Sequence, residues 1–147
     1  KINYHKELIN ELGDSISFNG YISHENALKE ISSSDFSVLI REKNRTTTAG
    51  FPTKLCESIS CGVPVITTDT SNISDYIKAW ENGVYIDIGN TASAIQTLKE
   101  VINLSPNEIN RLKDNCLNSN MFRYEHYEDE MKSFIEDIFH KYKKKKK

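Results

Sequence analysis

The sequence predicts an α/β domain with three layers, in which helices cover both faces of a mainly parallel β-sheet. Short apolar segments alternate along the chain with segments whose apolar residues recur at helical spacing, a pattern typical of parallel sheets with right-handed crossovers. Residues 63–67 are apolar without alternation, as expected for a strand that is covered on both faces. At 147 residues, the chain is long enough for one buried core.

Four strands and seven helices are expected. The strands are short, apolar and rich in β-branched or aromatic residues, and they cover residues 15–19, 36–40, 64–67 and 84–88. The helices follow the three-to-four-residue spacing of apolar side chains, and they cover residues 4–12, 24–32, 53–61, 73–80, 91–103, 106–117 and 124–142.

Capping residues mark several helix ends. Ser105 is a plausible N-cap because Pro106 and an acidic first turn follow it. Ser71 or Asn72 is expected to cap the helix that starts at residue 73. The last helix carries an apolar stripe, which is interpreted as a core-packing face: Tyr127, Met131, Phe134, Ile135, Ile138, Phe139 and Tyr142.

The helix at residues 53–61 has the clearest chemical signal. Pro52 suits its first position, where the missing N–H has no cost, and Gly62 suits the left-handed position just past its end. The free N–H groups at its start would attract a phosphate. Glu57 lies roughly 7–8 Å further along the axis, at about 1.5 Å per residue. It could accept hydrogen bonds from a ribose there, although on an isolated helix a solvated surface Glu is the simpler interpretation.

These residues resemble the donor-binding half of a family 4 retaining glycosyltransferase of the group 1 type, which has the GT-B fold. Residues 50–52 (Gly-Phe-Pro), Glu57 and residues 62–66 (Gly-Val-Pro-Val-Ile) follow the order and spacing of that family. The Pro-Thr-Lys run at residues 52–54 resembles a subgroup that carries Pro-Ser-Lys. Residues 16–22 and 34–40 also resemble family segments, so the resemblance covers about residues 6–142.

The resemblance implies a Rossmann-like domain that binds a nucleotide-diphosphate-sugar and transfers the sugar with retention, without a metal or another cofactor. The implied donor-binding residues are Glu57, Lys54, Thr53, Pro52, Phe51, Gly50, Gly20, Tyr21 and Arg41. Arg45 is a weaker candidate for the same phosphates. Gly20 is equally well explained as a turn glycine, and Lys54 as a surface lysine.

The sequence departs from the family at one carboxylate. The family has two glutamates eight positions apart. The second corresponds to Glu57, but Ala49 stands at the position of the first. Glu42 or threonine hydroxyls from the long loop at residues 41–49 could replace it. No catalytic residue is therefore assigned, and the departure leaves a non-catalytic nucleotide- or partner-binding module as an alternative. An unrelated flavodoxin- or receiver-type domain is disfavoured, because neither an acidic pair nor a phosphate loop follows the first predicted strand.

The cysteines and histidines carry no assigned chemistry. Cys56, Cys61 and Cys116 lack disulfide or metal-type spacing, which favours a reduced, cytoplasmic setting. The four histidines have no partner at metal-ligand spacing. No apolar run approaches the roughly 20 residues of a spanning helix.

Charge is unevenly distributed along the chain. The net charge is −2, but residues 143–147 are five lysines, without which 21 acidic residues face 14 basic ones. Because the chain without these lysines is acidic and has no basic face, the sequence gives no support for nucleic-acid binding. The lysine tail is expected to be disordered or non-native, with peripheral attachment to the inner membrane face as the alternative.

The predicted domain therefore spans residues 1–142 and is expected to be a fragment. Relative to the resembled family, two initial strands and the acceptor-binding N-terminal domain are lacking. The acceptor, a polysaccharide, glycolipid or similar molecule, would bind through that other domain, and this chain alone would be inactive.

Overall fold

The computed structural model describes residues 11–144. Its sheet contains three parallel strands in the order β1-β2-β3: β1 (Ser37–Leu39), β2 (Val65–Thr67) and β3 (Gly83–Tyr85). In register, Ser37 pairs with Val65 and Val65 with Gly83. The predicted α/β class with a parallel sheet is confirmed.

Six α-helices accompany the sheet within the described residues: α1 (His24–Ser33), α2 (Arg45–Ala49), α3 (Thr53–Ser60), α4 (Thr91–Ile102), α5 (Pro106–Ser119) and α6 (Glu128–Lys144). Short 3-10 turns occur at Gly13–Ser15, Ile73–Asp75 and Tyr124–Tyr127. Residues 11 and 12 are helical, and the rest of the helix predicted at residues 4–12 lies outside the described residues, as do the last three lysines.

The core consists of two apolar clusters on opposite faces of the sheet. On one face, Leu55 and Ile59 of α3 and Cys116 of α5 pack with Val65. On the other face, Val101 of α4 packs with the next residue of the same strand, Ile66. Successive side chains of a strand point to opposite faces, so β2 supplies both clusters, and the domain has the three predicted layers.

The strand predicted at residues 15–19 is wrong. Residues 13–15 form a 3-10 turn, and residues 16–19 belong to no strand. Ile16 and Phe18 are the apolar residues on which this strand was predicted, but Phe18 is exposed. The segment is not one of the three strands of the described sheet.

The helix predicted at residues 73–80 is also wrong, because the buried side chain of Asn82 bonds to the backbone there. Its Oδ1 accepts a hydrogen bond from Lys78 N at 2.8 Å, and its Nδ2 donates one to Tyr76 O at 2.9 Å. Such bonds compete with helical ones. Only the 3-10 turn Ile73–Asp75 forms, without the expected side-chain cap, and Trp80 takes a positive φ of 62°.

The remaining strands are shorter than predicted. The strand predicted at residues 84–88 begins at Gly83 and ends at Tyr85. Asp87 Oδ1 accepts a hydrogen bond from Gly89 N at 2.9 Å, so the chain turns where the pattern of apolar residues continues. The strands predicted at residues 36–40 and 64–67 are likewise trimmed to Ser37–Leu39 and Val65–Thr67.

Several helix ends agree with the sequence. Gly62 lies just past α3 with φ of 74°, and Ser105 caps α5 in a capping box with Glu108. Pro52, however, is the N-cap of α3 and not its first helical residue. The helix predicted at residues 124–142 is divided into the turn Tyr124–Tyr127 and α6.

The apolar stripe of the last helix does not pack on the core, contrary to prediction. All seven of its side chains are exposed, and even Ile138, the least exposed, keeps 41 % of its surface accessible. Helical spacing shows that a helix has an apolar face, but it does not show what that face contacts.

We expect Phe134→Ala to change the free energy of unfolding by less than about 0.5 kcal/mol, as for other surface sites. Phe51→Ala, a matched substitution in the packed aromatic cluster with Tyr76 and Phe122, should cost about 3 kcal/mol. Urea denaturation of both variants measures the difference. Equal losses would contradict the exposed position of Phe134.

We expect Gly83→Ala to destabilise the fold by about 2 kcal/mol through overpacking. A Cβ atom at this position would lie 2.7 Å from the Val65 carbonyl oxygen and 2.9 Å from Ile77 Cγ2, and a strand carbonyl cannot move aside. Gly89→Ala is the control, because the new methyl group would meet only the exposed Asp87 carboxylate, at 3.2 Å. Thermal unfolding of the two variants tests this expectation, and equal melting temperatures would contradict it.

Candidate functional site

The candidate site lies at the carboxyl ends of the parallel strands, where ligands bind in open α/β sheets. The chain leaves β1 at Leu39, forms the short helix α2, and turns through residues 50–52 into α3. Asn44 caps α2 in a capping box with Thr47, so the long loop at residues 41–49 contains a short helix. This ordered loop delivers the Gly-Phe-Pro turn to the start of α3.

The N-terminus of α3 carries no side-chain cap. Pro52 occupies the capping position and has no side-chain acceptor, so the first N–H groups of the helix are not satisfied by a cap. Thr53 and Lys54 follow in the first turn, and both are exposed. The helix start predicted to bind an anion is therefore helical and lacks a side-chain cap, and anion binding there stays a prediction.

Arg41 is brought to the same turn. Its Nη1 donates a hydrogen bond to the Gly50 carbonyl oxygen at 3.0 Å, across nine residues of sequence. Two predicted site residues from different segments therefore meet, and a fixed positive charge stands beside the Gly-Phe-Pro turn. No ion pair of Arg41 occurs within residues 11–144.

The backbone of Arg41 is held by a buried hydroxyl. Thr68 Oγ1 accepts a hydrogen bond from Arg41 N at 3.0 Å and donates one to Arg41 O at 2.7 Å. The neighbouring Thr67 Oγ1 donates to Leu39 O at 3.0 Å. The hydroxyls at the end of β2 thus hold the backbone where the chain leaves β1. The pattern of apolar residues gave no sign of these contacts.

Glu57 lies on the predicted face of α3. Leu55 and Ile59 are fully buried, whereas Glu57 is partly exposed. Burial and, to a smaller extent, the Glu57 carboxylate raise the pKa of the Cys61 thiol above its usual value. The Glu57 side chain therefore lies near the Cys61 thiol, on a part of the helix surface that is not fully buried.

The side chains of Phe51 and Pro52 point into the protein. The Phe51 ring packs edge-on against Tyr76 with centroids 5.0 Å apart, and it also lies 6.2 Å from the Phe122 ring. Pro52 is buried. These two predicted site residues therefore have only backbone groups to offer to a ligand, while their side chains anchor the turn.

Gly20 and Tyr21 lie in the loop before α1. Gly20 has a positive φ of 61°, and no atom would meet a Cβ placed there within 4 Å. Tyr21 is fully exposed. This left-handed conformation favours glycine, and donor binding by Gly20 and a nucleobase contact by Tyr21 stay predictions.

A second feature of this edge was missed by the sequence reasoning. A cleft of about 390 Å³ opens beyond the ends of β2 and β3. We call it the strand-end cleft. Its polar lining includes Arg41, Lys43, Asp69, Thr70, Tyr85 and Asp87. From the sequence, the only sign of this cleft is that the segments after residues 67 and 85 both leave the sheet at its carboxyl edge.

No metal-binding or nucleophilic centre is assigned. Within residues 11–144, no three His, Cys, Asp or Glu side chains are grouped as metal ligands. Burial raises the pKa of the Cys116 thiol to about 12, and burial is also the main cause of a raised pKa at Cys56. These thiols are therefore poor nucleophiles near neutral pH.

The family follows from the comparison with known domains. Residues 4–118 match the model of the glycosyl transferases group 1 family. The chain belongs to this family. The match includes the Gly-Phe-Pro turn, α3 and all three strands, and it rules out an unrelated flavodoxin- or receiver-type domain.

Solved structures agree on the fold. The chain is similar to sucrose-phosphate synthase from Thermosynechococcus elongatus, with a TM-score of 0.71 and 20% sequence identity. The alignment covers 93% of this chain and 34% of the synthase chain, so the chain spans about a third of that protein. This similarity supports a GT-B half-domain. No curated protein sequence matches the chain.

We expect Thr68→Val to lower the free energy of unfolding by about 1–3 kcal/mol, because the N–H and carbonyl of Arg41 lose their buried partner. Thr68→Ser is the control, since it keeps the hydroxyl. Chemical denaturation measures both variants. A valine variant as stable as the serine variant would show that the hydroxyl does not hold the loop.

Proposed function

We propose that this chain is the donor-binding part of a glycosyltransferase. In this proposal it binds a nucleotide-diphosphate-sugar, and the enzyme transfers the sugar to a polysaccharide, glycolipid or similar acceptor with retention of configuration. The observation that supports this best is the uncapped N-terminus of α3 beside the Arg41 guanidinium, which is bonded to Gly50. Group 1 family membership supplies the reaction class.

The charges suit a diphosphate. The free N–H groups at a helix start attract anions, and Arg41 is held at the adjacent turn. Lys54, exposed in the first turn of α3, would add a second positive charge. As the bond to the sugar breaks, negative charge develops on the leaving diphosphate, and fixed donors of this kind would stabilise it.

Glu57 would bind the ribose of the same nucleotide. It lies one helical turn beyond Thr53 on the solvent-facing side of α3, because Leu55 and Ile59 occupy the buried side. A carboxylate accepts charge-assisted hydrogen bonds from both ribose hydroxyls. Gly20 and Tyr21 are proposed to border the base, and Thr53 and the backbone of residues 50–52 the phosphates.

The rest of the reaction would require parts beyond this chain. The structure it resembles is about three times as long, and we place the acceptor site in such an additional domain. Residues 11–144 contain no helix that could cross a membrane. We propose a cytoplasmic enzyme that works without a metal, with the lysine tail available for peripheral contact with the membrane.

One observation favours a second candidate. Ala49 stands where the resembled family has its first glutamate, and it closes the ordered helix α2. If Glu42 or a threonine does not replace this carboxylate, the domain would be a nucleotide- or partner-binding module without catalysis. Consumption of an intact nucleotide-sugar by the full-length protein separates the two candidates.

The decisive measurement is calorimetric titration of the 147-residue chain with UDP, GDP, CMP and their sugar conjugates. One nucleoside diphosphate should bind, and Glu57→Ala should weaken its binding by about 1.5–3 kcal/mol, because a charged hydrogen-bond partner is lost. The matched control is Glu136→Ala, which removes an exposed carboxylate from α6 and should leave the affinity unchanged. Equal affinities of the two variants would refute the ribose role of Glu57.

A further inference from the structure

The last helix, α6, presents a wide apolar face to solvent. Six of its side chains form this face, and each keeps between 41 % and 70 % of its surface exposed: Met131, Phe134, Ile135, Ile138, Phe139 and Tyr142. At about 100° per residue, they occupy a sector of roughly 140° around the helix axis. A stripe of this width is what a surface helix normally buries, but no part of residues 11–144 covers it.

The charged side chains of α6 are arranged around this apolar face. Lys132 and Lys141 fall at its two margins, roughly 20° beyond its outermost aromatic side chains. Glu128 is the one carboxylate of α6 within the apolar sector, and it forms an ion pair with Lys132 at 2.8 Å. The other four carboxylates of the helix lie outside the sector. A negatively charged surface can therefore approach the apolar face without meeting an unpaired carboxylate on it.

The chain becomes strongly basic where this helix ends. No acidic residue follows Asp137, and the last ten residues of the chain include six lysines, at positions 141 and 143–147. Clusters of four to eight basic residues on an amphipathic helix are typical of binding to anionic lipids. The segment thus combines apolar contact area with adjacent positive charge, and stable attachment to a membrane surface generally takes both.

A bilayer suits this face better than a second helix does. A helix pair buries a narrow seam that repeats every 3.5 residues on average, and a seam through Met131, Phe134 and Ile138 reaches Lys141 at its next position. The face is also rich in aromatic side chains, which suit the boundary between headgroups and acyl chains. With 17 residues, α6 is shorter than the about 20 residues of a spanning helix, so it would lie along the surface.

We propose that the apolar face of α6 docks on an anionic lipid bilayer, with the helix parallel to the surface. Phe134 and Phe139 bury their rings below the headgroups, while Lys132 and Lys141 extend back to the lipid phosphates. The inference rests on the peripheral membrane contact in the proposed function. It goes beyond that contact, because it places the docking on one face of α6 and not on the lysine tail alone.

The docking is tested by co-sedimentation of the 147-residue chain with vesicles of phosphatidylcholine and phosphatidylglycerol. The chain should bind these mixed vesicles at least about tenfold more tightly than pure phosphatidylcholine, because its lysines meet anionic lipid. Phe134→Ala combined with Phe139→Ala should weaken binding to the mixed vesicles at least about tenfold, because buried apolar area is lost. The matched control combines Ile95→Ala with Ile102→Ala, two exposed positions of α4, and should leave vesicle binding unchanged.

Insertion of the face is measured directly with Phe139→Trp. Compared with the parent chain, its tryptophan emission should shift to shorter wavelength when mixed vesicles are added, and lipids with brominated acyl chains should quench it. Ile102→Trp is the control, because it places a tryptophan at an exposed position on another helix, and its emission should not change. Equal responses of the two variants would contradict docking through α6.

The double phenylalanine variant should keep the urea midpoint and the nucleotide affinity of the parent chain, since both rings are exposed. Failure of donor binding is therefore a separate result. The proposal is overturned if the chain does not bind the mixed vesicles, if pure phosphatidylcholine binds equally well, or if the double variant binds as tightly as the parent. A dimer in light scattering that dissociates in the double variant would also overturn it, by identifying a second copy of the chain as the occupant.

Discussion

The paired hydrogen bonds between Thr68 and the backbone of Arg41 are the contact on which the site depends. A single hydroxyl, buried at the end of β2, both accepts from and donates to the residue that leaves β1. Because these bonds are partly buried, loss of the hydroxyl would remove a partner from both groups at a cost in stability. The position of the Arg41 guanidinium, and through its bond to Gly50 the direction of the Gly-Phe-Pro turn, follows from this contact.

The aromatic contacts stabilise the same turn from its other side. The Phe51 ring packs against Tyr76 and Phe122, whose rings are stacked on each other with centroids 5.3 Å apart. The turn is therefore fixed by polar bonds at Gly50 and by ring packing at Phe51. A backbone held at both residues can present N–H groups in one arrangement, which lowers the ordering cost of binding.

The sequence predicted correctly those features that depend on residues close together in the chain. Gly62 after α3 and the Ser105 capping box were predicted because each is decided by the residue and its near neighbours. The failures involve partners distant in sequence. Asn82 removes the helix expected at residues 73–80 by bonding to Lys78 and Tyr76, and such competition is invisible in the spacing of apolar residues. Likewise, residues 15–19 are not part of the described sheet, and the composition of a short segment does not determine whether it joins one.

The same distinction explains which part of the site was predicted. The start of α3 lies within one continuous segment, so the order of Pro52, Lys54 and Glu57 was enough to propose an anion site. The strand-end cleft combines the ends of two strands and the first turns of a helix that are separated in sequence. No single segment carries its lining, so the order of residues along the chain could not indicate it.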